Sequence, residues 1–406
     1  MGHKKNNSLI DENIFFILDL IEKCGFRARI VGGAVRDFLL KKKISDVDLA
    51  TDAHPAEIID ICRRHGVAVV PVGIKYGSVT AIYDHNSYEI TTLRRDIKTF
   101  GRHSEVEFSQ SFKTDARRRD FTINAIYMDK DGRIYDYHSG IEDIRSRNIR
   151  FIGDARKRIT EDYLRIFRYF RFVAACGNYK YNQEYLEVIS QLKSNVKLLS
   201  SERIVTELIK ILDVPHSNRI IPQMMEILNE LFALQFNSLD VCVKLGIFKS
   251  LSSVERLAML LKFSNFSDLT RMYNFPKNIS EMILLKSVDY QQIFMQLKQI
   301  KKDYRIFYAK FWAVNSYLNA SGEDVKKVLK KLLNFCRSEQ VDFKLTSCDL
   351  KKYHPTREEL KHVMQSTKKF WINNNVSPNE CKKYAVACLE SCREPLISLK
   401  KQKTLV

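Results

Sequence analysis

Apolar positions near the start of the chain follow the period of a helix, and the positions that come next follow the pattern of strands. Ile10, Ile14, Leu18 and Ile21 recur three or four residues apart, which predicts an amphipathic helix. Four short runs rich in β-branched residues follow, namely RARIVGG, VAVVPV, GSVTAIYD and SYEITTLRR. Such runs are typical of strands. The first third of the chain is therefore predicted to be a mixed α/β region.

Beyond about Asp154 the strand pattern stops. Segments such as SERIVTELIKILD, DVKKVLKKLLNFC and ECKKYAVACLESC place apolar residues three and four apart, so that each has one apolar face as a helix. The remainder of the chain is therefore predicted to be all helical.

The length of the chain predicts more than one domain, and its net charge suggests a class of partner. A chain of 406 residues exceeds what one hydrophobic core usually supports, so two or more domains are expected. The formal net charge is +19. Lysine and arginine attract phosphates and displace their counterions, which makes nucleic acid the first candidate partner. The alternative is a lysine-rich surface that is simply solvated.

Cysteine usage and hydropathy indicate the compartment. Nine cysteines are scattered singly, without a CxxC pair or a Cys/His run at zinc spacing, so we expect reduced thiols and a cytoplasmic protein. The start of the chain has no apolar core with a cleavage site, and no stretch approaches eighteen uninterrupted apolar residues. We therefore expect neither a signal peptide nor a membrane span.

A glycine pair joins the first predicted strand to a predicted helix. Gly32 and Gly33 precede the segment AVRDFLL, whose apolar spacing suggests a helix. Glycine allows close approach of a ligand to the backbone, and a helix start favours anions, so this corner is a candidate triphosphate site with Arg36 assisting. A plain strand-to-helix turn is the alternative.

Two acids flank one valine in the segment DVDLA. If this segment is extended, Asp46 and Asp48 point to the same side, because side chains alternate along a strand. Two like charges this close favour a cation between them, and carboxylates suit Mg²⁺, which completes its shell with water and substrate phosphates. Glu89 lies on a strand that is able to pair beside DVDLA and is a candidate third acid. The alternative for all three is a solvated strand edge.

Two later segments carry basic residues beside acids. In DARRRDFTINAIYMD, Arg119 is a candidate triphosphate ligand, while Asp120 or Asn124 is suited to a ribose hydroxyl. Helix capping and surface ion pairing are the alternative.

The segment RITEDYLRIFRYFRF is predicted to be one helix. Asp162 and Arg165 are three residues apart, and Glu161 and Arg165 are four apart, so the three heads are predicted to share a face that Arg168 and Arg171 extend. Such ion pairs are common on helices. An acceptor fixed beside a donor also presents a hydrogen-bonding edge that is similar to the edge of a base.

The order of these blocks, a glycine corner, DxD, RRD and EDxxR, resembles the class II tRNA nucleotidyltransferases, or CCA-adding enzymes, and their relatives the bacterial poly(A) polymerases. The resemblance is dense from about Ile30 to Phe172. It implies an α+β fold, with a polymerase β-type nucleotidyltransferase head that contains a mixed sheet, followed by an all-α neck, body and tail. The implied bounds are 1–153 for the catalytic head, 154–230 for the neck with its nucleotide-selecting helix, 231–340 for the body and 341–406 for a tRNA-binding tail.

The resemblance also implies roles for individual residues. Asp46 and Asp48 are implied magnesium ligands, and together with Glu89 they are the implied catalytic acids. The implied nucleotide-binding residues are Gly32, Gly33, Arg36, Arg119, Asp120, Asn124, Asp162, Arg165, Arg168 and Arg171. The implied partners are tRNA, CTP and ATP. Cytosine and adenine both offer an amino donor beside a bare ring nitrogen, which suits acceptance by Asp162 and donation by Arg165.

Three alternatives to full CCA addition stay open at this stage. A poly(A) polymerase uses much the same residues, although bacterial members tend to carry a longer insert between TTLRRDIKTFGRH and ARRRDFT than this chain has. An enzyme that adds only CC or only A is the second alternative. The third alternative is a catalytically inactive RNA-binding protein on the same scaffold. The three acids argue against it, because a protein that only binds RNA gains nothing from clustered acids that face the RNA.

Overall fold

The computed structural model of the protein describes residues 9–44, 46–100, 103–177, 180–215, 217–232, 247–262, 273, 275–284, 290–319, 324–338, 342–374, 376 and 378–403. The chain divides into two compact units. The first contains Met1–Ala233 and Phe266–Asn274, and the second contains Leu234–Asn265 and Phe275–Val406.

A mixed seven-stranded sheet forms the centre of the first unit. Its strands are β1 (Ala28–Val31), β2 (Asp48–Thr51), β3 (Ala68–Val70), β4 (Ser78–Tyr83), β5 (Asn86–Thr92), β8 (Ile126–Met128) and β9 (Ile134–Asp136), in the order β3-β4-β5-β2-β1-β8-β9. The neighbours β2 and β5 are parallel, and the other pairs are antiparallel. The four predicted strands are confirmed as β1, β3, β4 and β5.

A separate hairpin was not predicted. Its strands are β6 (Arg94–Phe100) and β7 (His103–Phe108), and they pair only with each other. Its residues are largely polar in the sequence, which explains why the hydrophobic pattern did not reveal it.

Within the described residues of the first unit, ten α-helices surround or follow the sheet. They are α1 (Glu12–Lys23), α2 (Gly33–Leu39), α3 (Pro55–Arg64), α4 (Phe112–Arg118), α5 (Gly140–Ser146), α6 (Ala155–Glu161), α7 (Leu164–Ala175), α8 (Gln183–Leu192), α9 (Ser201–Asp213) and α10 (Ile221–Phe232). The predicted first helix is confirmed as α1, which begins after Asp11, whose side chain accepts a hydrogen bond from the N–H of Ile14.

The predicted continuous helix through RITEDYLRIFRYFRF is wrong. Helix α6 ends at Glu161, Asp162 adopts an extended conformation with φ −156° and ψ 106°, and α7 begins at Leu164. The physical reason is local, because Oδ1 of Asp162 accepts a hydrogen bond from the N–H of Leu164 at 3.1 Å. Aspartate competes in this way with the helical backbone and starts a new helix instead.

Aromatic packing joins α7 to the end of the head. The Phe121 ring lies 5.3 Å from the Phe172 ring, centroid to centroid, and the Phe151 ring lies 6.0 Å from the Tyr169 ring. Phe121 and Phe172 are almost completely buried. Since buried rings of this size contribute much of the packing energy of a core, α7 is held against the head and its arginines are held close to the sheet.

The second unit contains only helices within its described residues. They are α11 (Ser253–Lys262), α12 (Lys277–Leu284), α13 (Tyr290–Gln299), α14 (Arg305–Asn319), α15 (Asp324–Arg337), α16 (Arg357–Asn373) and α17 (Pro378–Lys403). Helices α16 and α17 bury a shared cluster that includes Val363, Ala385 and Leu389. The predicted fold class, a mixed sheet in the head and helices after it, is confirmed. Across the described ranges, no helix is both long enough and apolar enough to cross a membrane.

Candidate active site

A polar cavity of about 440 Å³ opens in the first unit, where α2, the start of β2 and α7 come together. Five basic and four acidic side chains line it. The lining residues are Gly32, Gly33, Arg36, Asp37, Asp46, Asp48, Arg119, Asp120, Asn124, Arg168, Arg171, Phe172 and Lys210.

The two acids of DVDLA stand at the rim of this cavity. Asp48 is the first residue of β2, and Asp46 precedes the strand, so the predicted five-residue extended strand is shorter at its start. Glu89 pairs with Asp48 in the parallel β2–β5 register, as the sequence predicted, but it is not part of the cavity lining. All three residues keep some solvent-exposed surface.

The electrostatics of this acid group favour a cation. Desolvation by the surrounding protein raises the pKa of Asp48, and the negative charges of Glu89 and Asp46 raise it further, whereas Arg119 lowers it. A cation held by Asp46 and Asp48 would relieve this repulsion. Among the described residues, no three His, Cys, Asp or Glu side chains are close enough to enclose a metal ion. One or two carboxylates plus water and phosphates are the usual shell of Mg²⁺, so the pair fits that ion.

The glycine corner lies beside two arginines. Gly32 has φ 77°, a conformation that L residues with side chains rarely adopt, and a Cβ atom there would lie 3.5 Å from Nη1 of Arg119. A Cβ atom on Gly33 would lie 3.6 Å from Nη2 of Arg36. The N–H of Gly32 donates to the carbonyl of Ile126 within the fold. Both distances are ordinary van der Waals contacts, so glycine is favoured at position 32 by its backbone conformation and not by lack of space.

Arg36 is fixed from three sides. Its Nε and Nη2 donate to the carboxylate of Asp37 at 2.9 and 2.8 Å, and its Nη1 donates to Oδ1 of Asn124 at 2.7 Å. The guanidinium carbon lies 5.0 Å from the centre of the Phe172 ring. A planar cation held in this way is suited to a phosphate group.

Arg119 depends on a buried acid that the sequence analysis missed. Asp115 is only 1% exposed, and its carboxylate accepts from Arg118 at 2.7 Å, from Arg119 at 3.0 Å and from the Tyr127 hydroxyl at 2.7 Å. Burial alone would raise the pKa of Asp115, but the two arginines hold it well below its ordinary value. Asp115 therefore stays ionised and anchors Arg119 at the cavity.

Asp120 and Asn124 form a second support. Oδ2 of Asp120 accepts from Nε of Arg168 at 2.6 Å, and Oδ1 accepts from Asn124 at 3.1 Å. Burial opposes the ionised form, but Arg168 and these hydrogen bonds lower the pKa of Asp120. Its predicted use for a ribose hydroxyl stays a prediction, since in this structure the carboxylate orients Arg168.

Helix α9 contributes residues that the sequence did not identify as part of the site. The buried carboxylate of Glu207 accepts from Nε of Arg171, and Lys210, one turn later, lines the cavity from an exposed position. The only sequence signal was the spacing of Arg203, Glu207 and Lys210, which places them along one side of a helix. That spacing alone does not distinguish a site from a solvated face.

The structure corrects the predicted common face of Asp162 and Arg165. Because the helix is interrupted at Asp162, its Oδ2 accepts from Nη2 of Arg203 on α9 at 2.8 Å. Nη1 of Arg165 instead donates to Glu161 at 2.7 Å and to the carbonyl of Arg158 at 2.6 Å. Neither residue lines the cavity.

The structure therefore brings together most, but not all, of the predicted site. The predicted residues that line the cavity are Gly32, Gly33, Arg36, Asp46, Asp48, Arg119, Asp120, Asn124, Arg168 and Arg171. Those that do not are Glu89, Asp162 and Arg165. The residues that were missed are Asp37, Phe172 and Lys210 in the lining and Asp115, Arg203 and Glu207 behind it.

Parts of the chain match protein families and named proteins. Residues 28–150 match the family model of the Poly A polymerase head domain, and residues 178–232 match the model described as the probable RNA and SrmB-binding site of polymerase A. The mitochondrial CCA tRNA nucleotidyltransferase 1 of Danio rerio is 41% identical over 227 residues, which cover 55% of this chain and 53% of that protein. The CCA-adding enzyme of Staphylococcus epidermidis is 40% identical over 198 residues, or 48% of each chain.

A solved structure extends the likeness to most of the chain. The CCA-adding enzyme of Bacillus stearothermophilus, crystallised with CTP, superposes with a TM-score of 0.71 at 26% identity, and the match covers 95% of this chain and 98% of that one. The seven-stranded sheet and the acid pair both lie within residues 28–150, which match the Poly A polymerase head domain. The chain is thus similar to CCA-adding enzymes, and residues 28–150 match the head domain of poly(A) polymerases. It spans about half the length of the curated relatives that it matches.

Proposed function

We propose that this chain is a template-independent RNA nucleotidyltransferase that adds CCA to the 3′ end of tRNA from CTP and ATP. The observation that carries the proposal is the cavity in which Asp46 and Asp48 face a group of fixed arginines. The names of the Danio rerio and Staphylococcus epidermidis relatives support tRNA and CCA addition, and CTP in the Bacillus stearothermophilus structure supports the nucleotide.

The basic side chains account for nucleotide binding. Arg36, Arg119, Arg168 and Arg171 each have an acidic partner that fixes the guanidinium group, and they converge on one cavity with Lys210. A triphosphate that enters meets donors that are already in place, so little reorganisation is needed. Asp46 and Asp48 would hold Mg²⁺, which supplies charge neutralisation for the triphosphate and for the attacking oxygen.

The reaction is a displacement at the α-phosphate. The RNA 3′ oxygen forms a bond to the α-phosphorus while the bond from that phosphorus to the oxygen that bridges to the β-phosphate breaks. Pyrophosphate leaves, and the hydroxyl proton passes to water. Catalysis of such a transfer rests on positioning and on charge stabilisation, which a cavity lined by both signs of charge supplies.

Base selection by Asp162 and Arg165 stays a prediction. In cytosine and adenine an amino donor stands beside a ring nitrogen that accepts, and a carboxylate with a guanidinium complements that edge. Arg203 and Glu161 would act as positioning residues, since each makes an ion pair with one of these two heads. The tail as a tRNA-binding region and the bounds at 153, 230 and 340 also stay predictions. Cytoplasmic location does too, because the Danio rerio relative is named as mitochondrial.

The test is incorporation on a tRNA transcript that lacks its 3′ CCA. We expect two residues with CTP alone, none with ATP alone and three with both, each requiring Mg²⁺, read as discrete bands on a sequencing gel. A long ladder with ATP alone would identify a poly(A) polymerase. Addition of only C residues, or of A only to transcripts that already end in CC, would identify a partial enzyme. Binding without incorporation would leave an RNA-binding protein.

The control is Asp48→Asn, which keeps the shape of the side chain and removes its charge. Loss of a single preorganised charge stabiliser typically costs about 3–4 kcal/mol of transition-state stabilisation, so incorporation should fall by at least about 10²-fold. Asp60→Asn, on the exposed surface of α3, should retain full activity. Near-normal incorporation by a folded Asp48→Asn protein would exclude the proposed role of the acid pair.

A further inference from the structure

One aromatic ring lies against three arginines of the candidate active site. Phe172, in the second half of α7, lines the cavity and is only 2% exposed. The guanidinium carbon atoms of Arg171, Arg36 and Arg168 lie 4.3, 5.0 and 5.2 Å from the centre of its ring. Arg36 belongs to α2, whereas the other two arginines precede Phe172 on α7. The ring therefore joins cationic groups from two separate helices.

Three positive charges this close to one another repel. Burial lowers the pKa of Arg171, and the charges of Arg168 and Arg36 lower it further, whereas an acidic partner raises it. Each arginine has its own acidic partner, and these partners lie on three different segments of the chain, namely Asp37, Asp120 and Glu207. An acid that holds one arginine does not fix the distance from that arginine to the other two. The Phe172 ring is in contact with all three.

The ring holds a cation in a different way from a carboxylate. The face of an aromatic ring is electron-rich and attracts a cation that lies within about 6 Å of its centre. This attraction does not occupy the N–H groups of the guanidinium. Within the described residues, Arg168 and Arg171 donate to their acids through Nε, and their Nη groups have no protein acceptor. These Nη groups therefore stay available to phosphate oxygens.

The orientation of the Phe172 ring is set by the core of the head. The ring packs edge to face on Phe121, with 5.3 Å between the centroids and 72° between the ring planes. Phe121 is completely buried. An edge-to-face pair of buried rings is a favourable arrangement with little freedom to rotate. The position of the arginines thus follows from the packing of a ring that carries no charge.

We propose that Phe172 is a positioning residue, which holds Arg36, Arg168 and Arg171 at the spacing that the phosphate chain of a nucleoside triphosphate requires. It acts through the arginines, so it should affect CTP and ATP equally, because both nucleotides carry the same triphosphate. This inference rests on the proposed function, and it assigns the support of the triphosphate to an uncharged side chain.

Fluorination of the ring tests this role at nearly constant shape. Phe172 is replaced by its mono-, di- and trifluorinated analogues through incorporation of non-natural amino acids. Each fluorine withdraws electron density from the ring face and so weakens its attraction for a cation. Phe151 is the matched control, because it is also 2% exposed, packs against Phe121 and Tyr169, and does not line the cavity. The probe is inorganic triphosphate, titrated into the whole chain in a chelator and followed by calorimetry.

We expect the logarithm of the Kd for inorganic triphosphate to rise in a straight line with the number of fluorines at position 172. Three fluorines should weaken binding about fivefold, and the same change at position 151 should have less than about a twofold effect. In steady state, the KM values for CTP and ATP should rise by the same factor, and the KM for tRNA should stay unchanged. The urea midpoint of unfolding should stay close to that of wild type, since the shape of the ring is kept.

Phe172→Leu removes the ring and should weaken triphosphate binding about tenfold, and the fluorinated series decides the question even where this variant does not fold. Absence of a trend along the series would overturn the inference, because the ring would then act through packing alone. An equal trend at positions 151 and 172 would overturn it as well. If the trend appears but the wild-type protein incorporates no nucleotide into tRNA, the proposed function fails while the positioning role stands.

Discussion

Asp115→Asn tests whether a buried ion pair supports the candidate site. The carboxylate of Asp115 is 1% exposed and accepts hydrogen bonds from Arg118, Arg119 and Tyr127. Asparagine has the same shape, but it removes the charge and turns an NH₂ group toward donors. The two guanidinium groups then lose their shared buried counter-ion.

The expected loss of stability follows from this burial. Removing one partner of a buried ion pair typically costs about 3–5 kcal/mol, because the other charge is left without compensation. With a urea dependence of about 2–3 kcal/mol per molar, the midpoint of unfolding should fall by about 1 M or more. Arg119 lines the cavity, so the affinity for ATP should fall as well.

The assay is a urea titration at neutral pH, followed by far-UV circular dichroism, with Asp60→Asn as control. Asp60 pairs with Arg64 on the exposed surface of α3, and an exposed pair is worth no more than about 1 kcal/mol. A loss for Asp115→Asn that is no larger than the loss for Asp60→Asn would refute the reasoning.

The pH dependence gives an independent check. The arginines lower the pKa of Asp115 in the folded protein below its ordinary value of 3.8. A group of this kind stabilises the fold above its unfolded pKa and loses that contribution as the pH falls through the folded value. The difference between wild type and Asp115→Asn should therefore stay constant near neutrality and shrink only in acid below about pH 4.

Four further outcomes are expected. Arg203→Ala should raise the use of UTP relative to CTP, measured as an incorporation ratio, because Asp162 loses the partner that orients it; an unchanged ratio would exclude that role. Exchanging Asp162 and Arg165 should lower the urea midpoint as well as alter base choice, because an acid at position 165 would lie beside Glu161; an unchanged midpoint would contradict this. At neutral pH in the presence of a chelator, Asp48→Asn should raise the urea midpoint of unfolding. The raised pKa of Asp48 means that its ionised form opposes folding, so this gain in stability should disappear in acid. Affinity for tRNA should fall linearly on a log–log plot against salt, with a slope set by the phosphates contacted, and a flat plot would refute the electrostatic argument from the +19 charge.

Local patterns in the sequence were sufficient for the framework of the site. The runs of β-branched residues predicted β1, β3, β4 and β5, because every second side chain of a strand lies on the same face. The spacing of Asp46 and Asp48 predicted that both reach one cavity, and the glycines after β1 predicted the strand-to-helix corner. Each of these conclusions depends only on neighbours along the chain.

Only the tertiary structure decided which groups hold the site in place. In the sequence, Asp115 is an ordinary acid in a basic helix, and Glu207 is one of several charges spaced along one side of a second helix. In the structure, both side chains are buried beneath arginines of the cavity. The interruption at Asp162 was also hidden, because apolar periodicity continues through it while one side-chain hydrogen bond redirects the backbone. The spacing of Asp115 from Arg118 and Arg119 is that of a helical ion pair, but its burial depends on how α4 packs. The pair of Glu207 with Arg171 joins two helices, and no periodicity within a single helix contains that information.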